Sequence, residues 1–429
     1  MKQGLCLFIL TLVVATPCRA DLYSALHHVY ETNPIIEQSR AAADAACAGV
    51  DASASAARPY LGLAGSAGMA RTDALHHRYD YVPTQIGIEF QQNVFQGFGI
   101  ISQIRSARFA ASAATAMVYV TNQYIFLNTI NAYVSVMNAA DVLDLTQNNE
   151  RVLREYYDYC RDLQRVGKLT KTDVAQASAR LEMARYAVAD ANAKYENARE
   201  TFRRIYGDLN VGFTQIDLSR TEILFPESID DATEYAVQNH PILRALDARY
   251  DAARQNINVA RKSILPSVDV RASAVQADDL PYLDRVRDAR VGVYMKLPLY
   301  DKGAAFAETE RARYMASEID DQIIDTRRKI IENLRQAWNN YAAQGAAIRA
   351  ANAGVDANEM ALRGTRAEQK SGRRTVLDVL NAEQELLNTR VSLSQAKYSR
   401  IAAYFAILGA MGKLNPQNLG FTDIDSDDE

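Results

Sequence analysis

Cysteine, proline and tryptophan are scarce in this chain, and each shortage excludes something. Of its four cysteines, Cys6 and Cys18 lie in the first twenty residues. The other two, Cys47 and Cys160, fall in different predicted helices without metal-ligand spacing, so neither a disulfide framework nor a metal centre is expected. With ten prolines and one tryptophan against abundant Ala, Gln, Asn, Arg and Glu, the composition favours long helices. The net charge of −4 argues against nucleic acid as a partner. Catalytic signatures are missing too. Gly97-Phe98-Gly99 lacks the third glycine of a nucleotide loop and reads as a strand-to-helix elbow. No Ser-His-Asp, Walker or zinc pattern occurs, and His27-His28 opens a helix with no ligand cluster. An enzyme is not expected, and neither is a cofactor.

A long apolar run is also absent after the N-terminus. Lys2, the apolar stretch Leu5 to Ala15 and the segment Thr16-Pro17-Cys18-Arg19-Ala20 read as a signal peptide over residues 1–20. That stretch is shorter than the roughly 20 residues of a spanning helix. Cys18 raises a lipid-anchor reading, although Pro17 stands where such signals prefer Gly or Ala. The mature chain is therefore either soluble in the periplasm or an outer-membrane barrel.

What is present is a duplication. Asn33-Pro34 matches His240-Pro241, and Pro59 matches Pro266, both 207 positions apart. Beyond them the offset falls to 205: Phe95 with Tyr300, Gly167 with Gly372, Asp173 with Asp378, Leu181 with Leu386, Gly207 with Gly412. A surface loop between strands would absorb the two-residue change. The expected organisation is a first repeat over 21–207, an irregular equatorial segment over 208–231, a second repeat over 232–412 and an acidic disordered tail over 413–429.

Each repeat holds two strand-like segments: about Pro59 to Arg71 and Val82 to Phe95, then about Pro266 to Ala277 and Ala289 to Tyr300. Alternation is plainest in the last, with Val291, Val293, Met295, Leu297 and Leu299 opposed to Gly292, Tyr294, Lys296 and Tyr300. Apolar-out, polar-in alternation is the period of a barrel strand, and the lengths exceed the roughly 9–11 residues that cross a bilayer. A half-buried sheet in a soluble protein would alternate in the same way. Four strands cannot close a barrel, and an open edge cannot face lipid. If these strands cross a membrane, several copies must pool them. The polar stretches Thr72 to Tyr81 and Asp278 to Asp288 are expected as loop tips. His76-His77 in the first would point apart and is not expected to hold a metal.

The helices are too long for a globular core. Gly99 to Val166 would extend about 100 Å at 1.5 Å per residue, returning through Thr172 to Tyr206. The second repeat offers Ala304 to Ser371 and Thr375 to Met411. The first return helix carries one seam spaced three and four residues apart: Val174, Ala177, Leu181, Ala184, Val188, Ala191, Tyr195, Ala198, Phe202 and Ile205. The second carries two adjacent seams, one through Val379, Leu386 and Ala396, the other through Leu380, Leu387 and Tyr398. A helix with two seams packs between two neighbours, as in a cylinder of helices.

Two turn motifs are the most specific part of the chain: Val166-Gly167-Lys168-Leu169-Thr170-Lys171-Thr172-Asp173-Val174 and Ser371-Gly372-Arg373-Arg374-Thr375-Val376-Leu377-Asp378-Val379-Leu380-Asn381-Ala382. With the duplicated plan, they make residues 22–413 resemble the TolC family of outer-membrane efflux and type I secretion ducts. The resemblance implies a mainly α fold with a membrane β-barrel portion. It implies a homotrimer whose four strands per chain make a 12-stranded barrel, and whose coiled-coil hairpins make a 12-helix tunnel into the periplasm. The implied partners are a periplasmic adaptor, an inner-membrane pump of ABC or RND type and outer-membrane lipid. The tips Val166, Gly167, Lys168, Leu169, Ser371, Gly372 and Arg373 would dock the adaptor. Asp173 and Arg374 would help to hold the mouth closed, with Gln369 replacing the family's tyrosine. Asp378 would supply one ring of carboxylates at the constriction, and Asn381 stands where the family has a second. A soluble periplasmic scaffold or adaptor is the alternative. An adaptor, however, would show one hairpin rather than two duplicated units.

Overall fold

The computed structural model describes residues 18–74, 77–207, 211–218, 224–280 and 283–421. The leader up to residue 17, His76, parts of the equatorial segment and the acidic end of the tail lie outside those residues. The chain divides into two compact units, one of residues 1–37, 121–240 and 329–429, the other of residues 38–120 and 241–328.

The duplication is visible in the order of elements. The first half runs α1 (Leu22–Thr32), α2 (Pro34–Ser55), a strand region, α3 (Gly99–Arg165) and α4 (Lys171–Tyr206). The second runs α5 (Ile229–Asn239), α6 (Pro241–Arg261), a strand region, α7 (Ala304–Lys370) and α8 (Val376–Ala410). The four long helices thus begin and end within a residue or two of the positions expected. Asn33 and His240 are equivalent buried C-caps, each followed by a proline that starts the next helix. Burial of His240 holds its imidazole down at about 4, so it stays neutral at periplasmic pH.

The core of the first unit is aromatic. Tyr133, Phe126, Phe202 and Phe405 are fully buried among Leu22, Leu26, Val29 and Leu408. The Tyr133 hydroxyl donates to the Thr214 carbonyl at 2.8 Å, tying the equatorial segment to α3. Two short strands, β1 (Cys18–Ala20) and β6 (Val211–Phe213), pair in parallel. Backbone that the sequence assigns to the end of the leader therefore lies in a ladder here.

The second unit holds β2 (Tyr60–Ala67), β3 (Ala70–Ala74), β4 (His77–Tyr81), β5 (Thr84–Gln96), β7 (Ser267–Leu280) and β8 (Leu283–Lys296). Four of these form an antiparallel sheet in the order β2-β5-β7-β8. Register sorts the side chains. On one face, Leu61 lies opposite Phe90, Leu63 opposite Ile88, Ala272 opposite Val291, and Val270 opposite Val293. Leu61 is 71 % and Val291 83 % exposed in the single chain. The other face carries Gln85, Glu89, Gln91, Asp269, Arg271 and Lys296. There Arg271 pairs with Asp269 at 2.6 Å and sits 5.1 Å from the Tyr294 ring centre. An apolar face this exposed is unlike the surface of a soluble monomer.

Both expected loop tips are largely strand. β3 and β4 form a hairpin zipped by Arg71–Asp80 at 2.5 Å and Arg78–Asp73 at 3.1 Å. β7 and β8 continue to Leu280 and Leu283, with Arg285 on Asp278 at 2.5 Å. Polarity suggested loops, but opposite charges placed directly across two strands are a favourable pairing. At the other end β8 stops at Lys296, so Leu297 to Tyr300 is not strand.

Candidate gate and docking site at the helix turns

The two long-helix hairpins turn by the same device. At the first, Gly167 N–H donates to the Gln164 carbonyl at 3.0 Å and Lys168 N–H to Leu163 at 2.9 Å. At the second, Gly372 bonds Gln369 at 3.0 Å and Arg373 bonds Glu368 at 2.9 Å. These are paired Schellman bonds, which need a left-handed residue just past the helix. Gly167 has φ +73° and Gly372 φ +78°. Nothing lies within 4 Å of a Cβ added at either. Glycine is therefore required by backbone conformation and not by space.

Each return helix then starts with a reciprocal capping box. Asp173 accepts from the backbone N–H of Thr170 at 2.9 Å and from its hydroxyl at 2.7 Å. Asp378 accepts from Thr375 at 2.9 and 2.8 Å. In return each threonine Oγ1 accepts from the aspartate N–H at 3.2 Å. Hydrogen bonds from Thr375, with a smaller contribution from Arg374, hold the Asp378 carboxyl below the usual carboxylate range.

The seam between the hairpins is apolar near the turns. Ala177, Leu181 and Ala184 of α4 share a cluster with Leu153 and Cys160 of α3 and with Val376 and Leu380 of α8. Val379 and Leu386 turn to the other side and meet Leu362 of α7. The two-seam reading of α8 thus matches its two neighbours. Burial pushes the Cys160 thiol up to about 11. Polar links lace α7 to α8: Arg366 bonds the buried Glu383, Arg390 bonds Glu359 at 2.7 Å, and Asn358 bonds Thr389 at 2.8 Å. Across the hairpins, Arg180 donates to Asn381 at 2.9 Å.

This fold and these turns are those of a known family. Its sequence pattern, described as outer membrane efflux protein, matches residues 25–208 and 233–413. The chain belongs to the outer membrane efflux protein family. It is accordingly a protein of the outer membrane that extends into the periplasm. It is 27 % identical over 401 residues to the outer membrane efflux protein BepC of Brucella suis biovar 1, covering 93 % of this chain and 87 % of that protein. It is 26 % identical over 404 residues to the outer membrane protein TolC of Escherichia coli, covering 90 % and 81 %. Among solved structures, the Campylobacter jejuni CmeC outer membrane channel superposes with a TM-score of 0.84 over 94 % of this chain and 90 % of that one. At 16 % identity, that match shows a shared fold.

The candidate residues named from sequence all gather at or just beyond the turns. Val166, Lys168, Ser371 and Arg373 are exposed, and Leu169 leans on the apolar seam. Arg374 is engaged by Glu368 at 3.1 Å, and Asp173 is engaged by its own helix start. Gln369 contributes its carbonyl to the second turn. Sequence reading passed over Thr170 and Thr375, although threonine three residues before aspartate is the spacing of a capping box. It had no signal for Arg180, nor for its bond to Asn381, which lies 201 positions away.

Proposed function

We propose that three copies assemble into an exit duct that carries substrates from an inner-membrane pump through the periplasm and across the outer membrane. The observation that carries this reading is the four-stranded sheet, with an exposed apolar face and, among the described residues, bonding edges left open at β2 and β8. Open edges cannot face hydrocarbon, so each copy's β8 must meet a neighbour's β2. Three sheets then make a closed 12-stranded wall, and the hairpins of three chains line a helical passage. The mouth lies at the Gly167 and Gly372 turns, where an adaptor grips the exposed tips. Asp378 from three chains rings the constriction, and Asp173, Arg374 and Gln369 take part in holding it shut.

The test is reconstitution. Protein extracted from outer membranes should crosslink as a trimer and conduct ions in planar bilayers. A folded, non-conducting monomer recovered from the soluble periplasm would overturn the reading. For the partner, cysteines placed beside Gly167 and Gly372 should capture an adaptor in intact cells. Reversing Arg373 and Arg374 to Glu should weaken that capture.

A further inference from the structure

We infer that the outward face of the sheet carries a seat for a phosphorylated lipid of the outer leaflet, with Arg287 as the phosphate ligand. The inference rests on the membrane-spanning reading above. A groove of about 440 Å³ lies across β2, β5, β7 and β8, floored by Leu63, Ile86, Ile88, Ala274 and Ala289. Small side chains stand at its centre, where Ala274 faces Ala289 across the ladder, and Leu63, Ile86 and Ile88 form one flank. Directly beyond them on the same face comes the pair Gln276–Arg287, and beyond that Asp278–Arg285.

That order places charge where the hydrocarbon ends. From Ala289 to Met295 the outward side chains are Ala289, Val291, Val293 and Met295, about 20 Å of strand at about 3.3 Å per residue. The Leu280–Leu283 pair marks the end of this ladder remote from α6 and α7, so Arg287 stands at the outer-leaflet rim. The two rim arginines differ. Arg285 is matched by the Asp278 carboxylate at 2.5 Å. Arg287 instead donates through Nε to the neutral Gln276 Oε1 at 3.3 Å. The adjacent carboxylate, Asp288, also borders the groove, but it is neutralised by Arg290 at 2.6 Å. Arg287 is exposed and, among the described residues, makes no direct ion pair, Asp278 acting on it only at longer range, so its guanidinium can take a phosphate. An acyl chain on the alanine floor and a phosphate at Arg287 would satisfy both ends of the groove.

The experiment uses the intact trimer in mixed micelles, with native mass spectrometry to count bound lipid. The probes are diphosphoryl lipid A, its dephosphorylated form, phosphatidylethanolamine and inorganic phosphate. Wild-type trimer should retain diphosphoryl lipid A over the dephosphorylated form. Arg287→Gln should lower that affinity about tenfold, the scale of one hydrogen-bonded charge, and Arg285→Gln less than about threefold, because Asp278 already offsets it. Ala289→Leu, which fills the groove without touching charge, should also weaken retention. Inorganic phosphate alone should not bind. Equal retention of both lipid A forms, or of diphosphoryl lipid A by wild type and Arg287→Gln, would overturn the seat. Bilayer conductance of the same samples separates the two failures: a conducting trimer without lipid preference sinks this inference alone, and a non-conducting one sinks the duct.

Discussion

Asp378 is asked to do two things at once, and a pair of substitutions separates them. It caps α8 through Thr375, and in the proposed trimer it places a charge at the mouth. Asp378→Asn removes the charge but keeps a side-chain oxygen able to accept from Thr375 N–H, now held at 2.9 Å. Thr375→Ala does the reverse: it deletes the Oγ1 that accepts from the Asp378 N–H at 3.2 Å and leaves the carboxylate. Loss of such a cap costs about 1 kcal/mol, which is about fivefold in local opening. Hydrogen exchange in the first turn of α8 should therefore quicken about fivefold in Thr375→Ala and much less in Asp378→Asn. Block of the channel by divalent cations should behave oppositely. Three carboxylates acting at about 10 Å through water at 0.15 M salt favour a divalent ion by roughly threefold, and by more at low salt. Asp378→Asn should lose that factor and its salt dependence, and Thr375→Ala should keep both. The pH dependence follows from the depressed carboxyl. Its charge and its capping stability are fully present above the ordinary value of 3.8 and are lost only as pH falls through the lower folded value. Block should be flat from pH 8 to about 5 on this account. Block that is unchanged in Asp378→Asn, or equally reduced in Thr375→Ala, would refute the assignment of charge to the mouth.

Three further outcomes are expected. Gly167→Ala and Gly372→Ala should each cost about 1–2 kcal/mol of local stability, because φ is positive at both; exchange of the flanking turn amides measures it. Arg366→Met should strand the Glu383 carboxylate, which is only 10 % exposed. The cost should be about 1–3 kcal/mol given the half-exposed arginine, and Arg366→Met with Glu383→Met should recover part of it; a double-mutant cycle on thermal midpoints tests the coupling. Cys47, which is exposed, should react with maleimide at pH 7, whereas Cys160, buried with its thiol raised to about 11, should react only after unfolding; peptide mapping distinguishes them.

Helix ends and turns were legible in the sequence because they depend on local chemistry. Gly167, Thr170 and Asp173 lie within seven residues, and every bond of that turn forms between near neighbours. The seams were legible because a spacing of three and four must bury one stripe. All ten predicted seam positions of α4, from Val174 to Ile205, are buried or half-buried. The extent of the strands was less legible. Arg71, Asp73, Arg78 and Asp80 look like loop residues one at a time, and only their register makes them strand. Least legible were links that fix no local pattern. Arg180–Asn381 joins residues on different repeats, and no periodicity announces such a pair.

The duplicated hairpins have kept their turns and diverged along their seams, and the divergence bears on which of them moves. In the second hairpin, Asn358 on α7 bonds Thr389 on α8. The equivalent positions of the first, 205 residues earlier, are Leu153 and Ala184, members of one apolar cluster. Glu359 and Arg390 pair at 2.7 Å, whereas their counterparts pair mainly within their own helices, Arg154 with Glu150 at 2.5 Å and Arg185 with Glu182 at 2.6 Å, Arg185 lying 3.7 Å from Glu150. An apolar seam loses its stabilisation when its halves part, because it then exposes hydrocarbon to water. A seam of hydrogen bonds and ion pairs exchanges its partners for water at small net cost. The α7–α8 seam keeps an apolar patch of Leu362, Val379 and Leu386, but its polar share is larger, so its opening should cost less than that of the α3–α4 seam. In the proposed duct, this asymmetry favours a mouth that opens by loosening the second hairpin rather than the first. Replacing Asn358 and Thr389 with Leu and Ala should bias the duct toward its closed state.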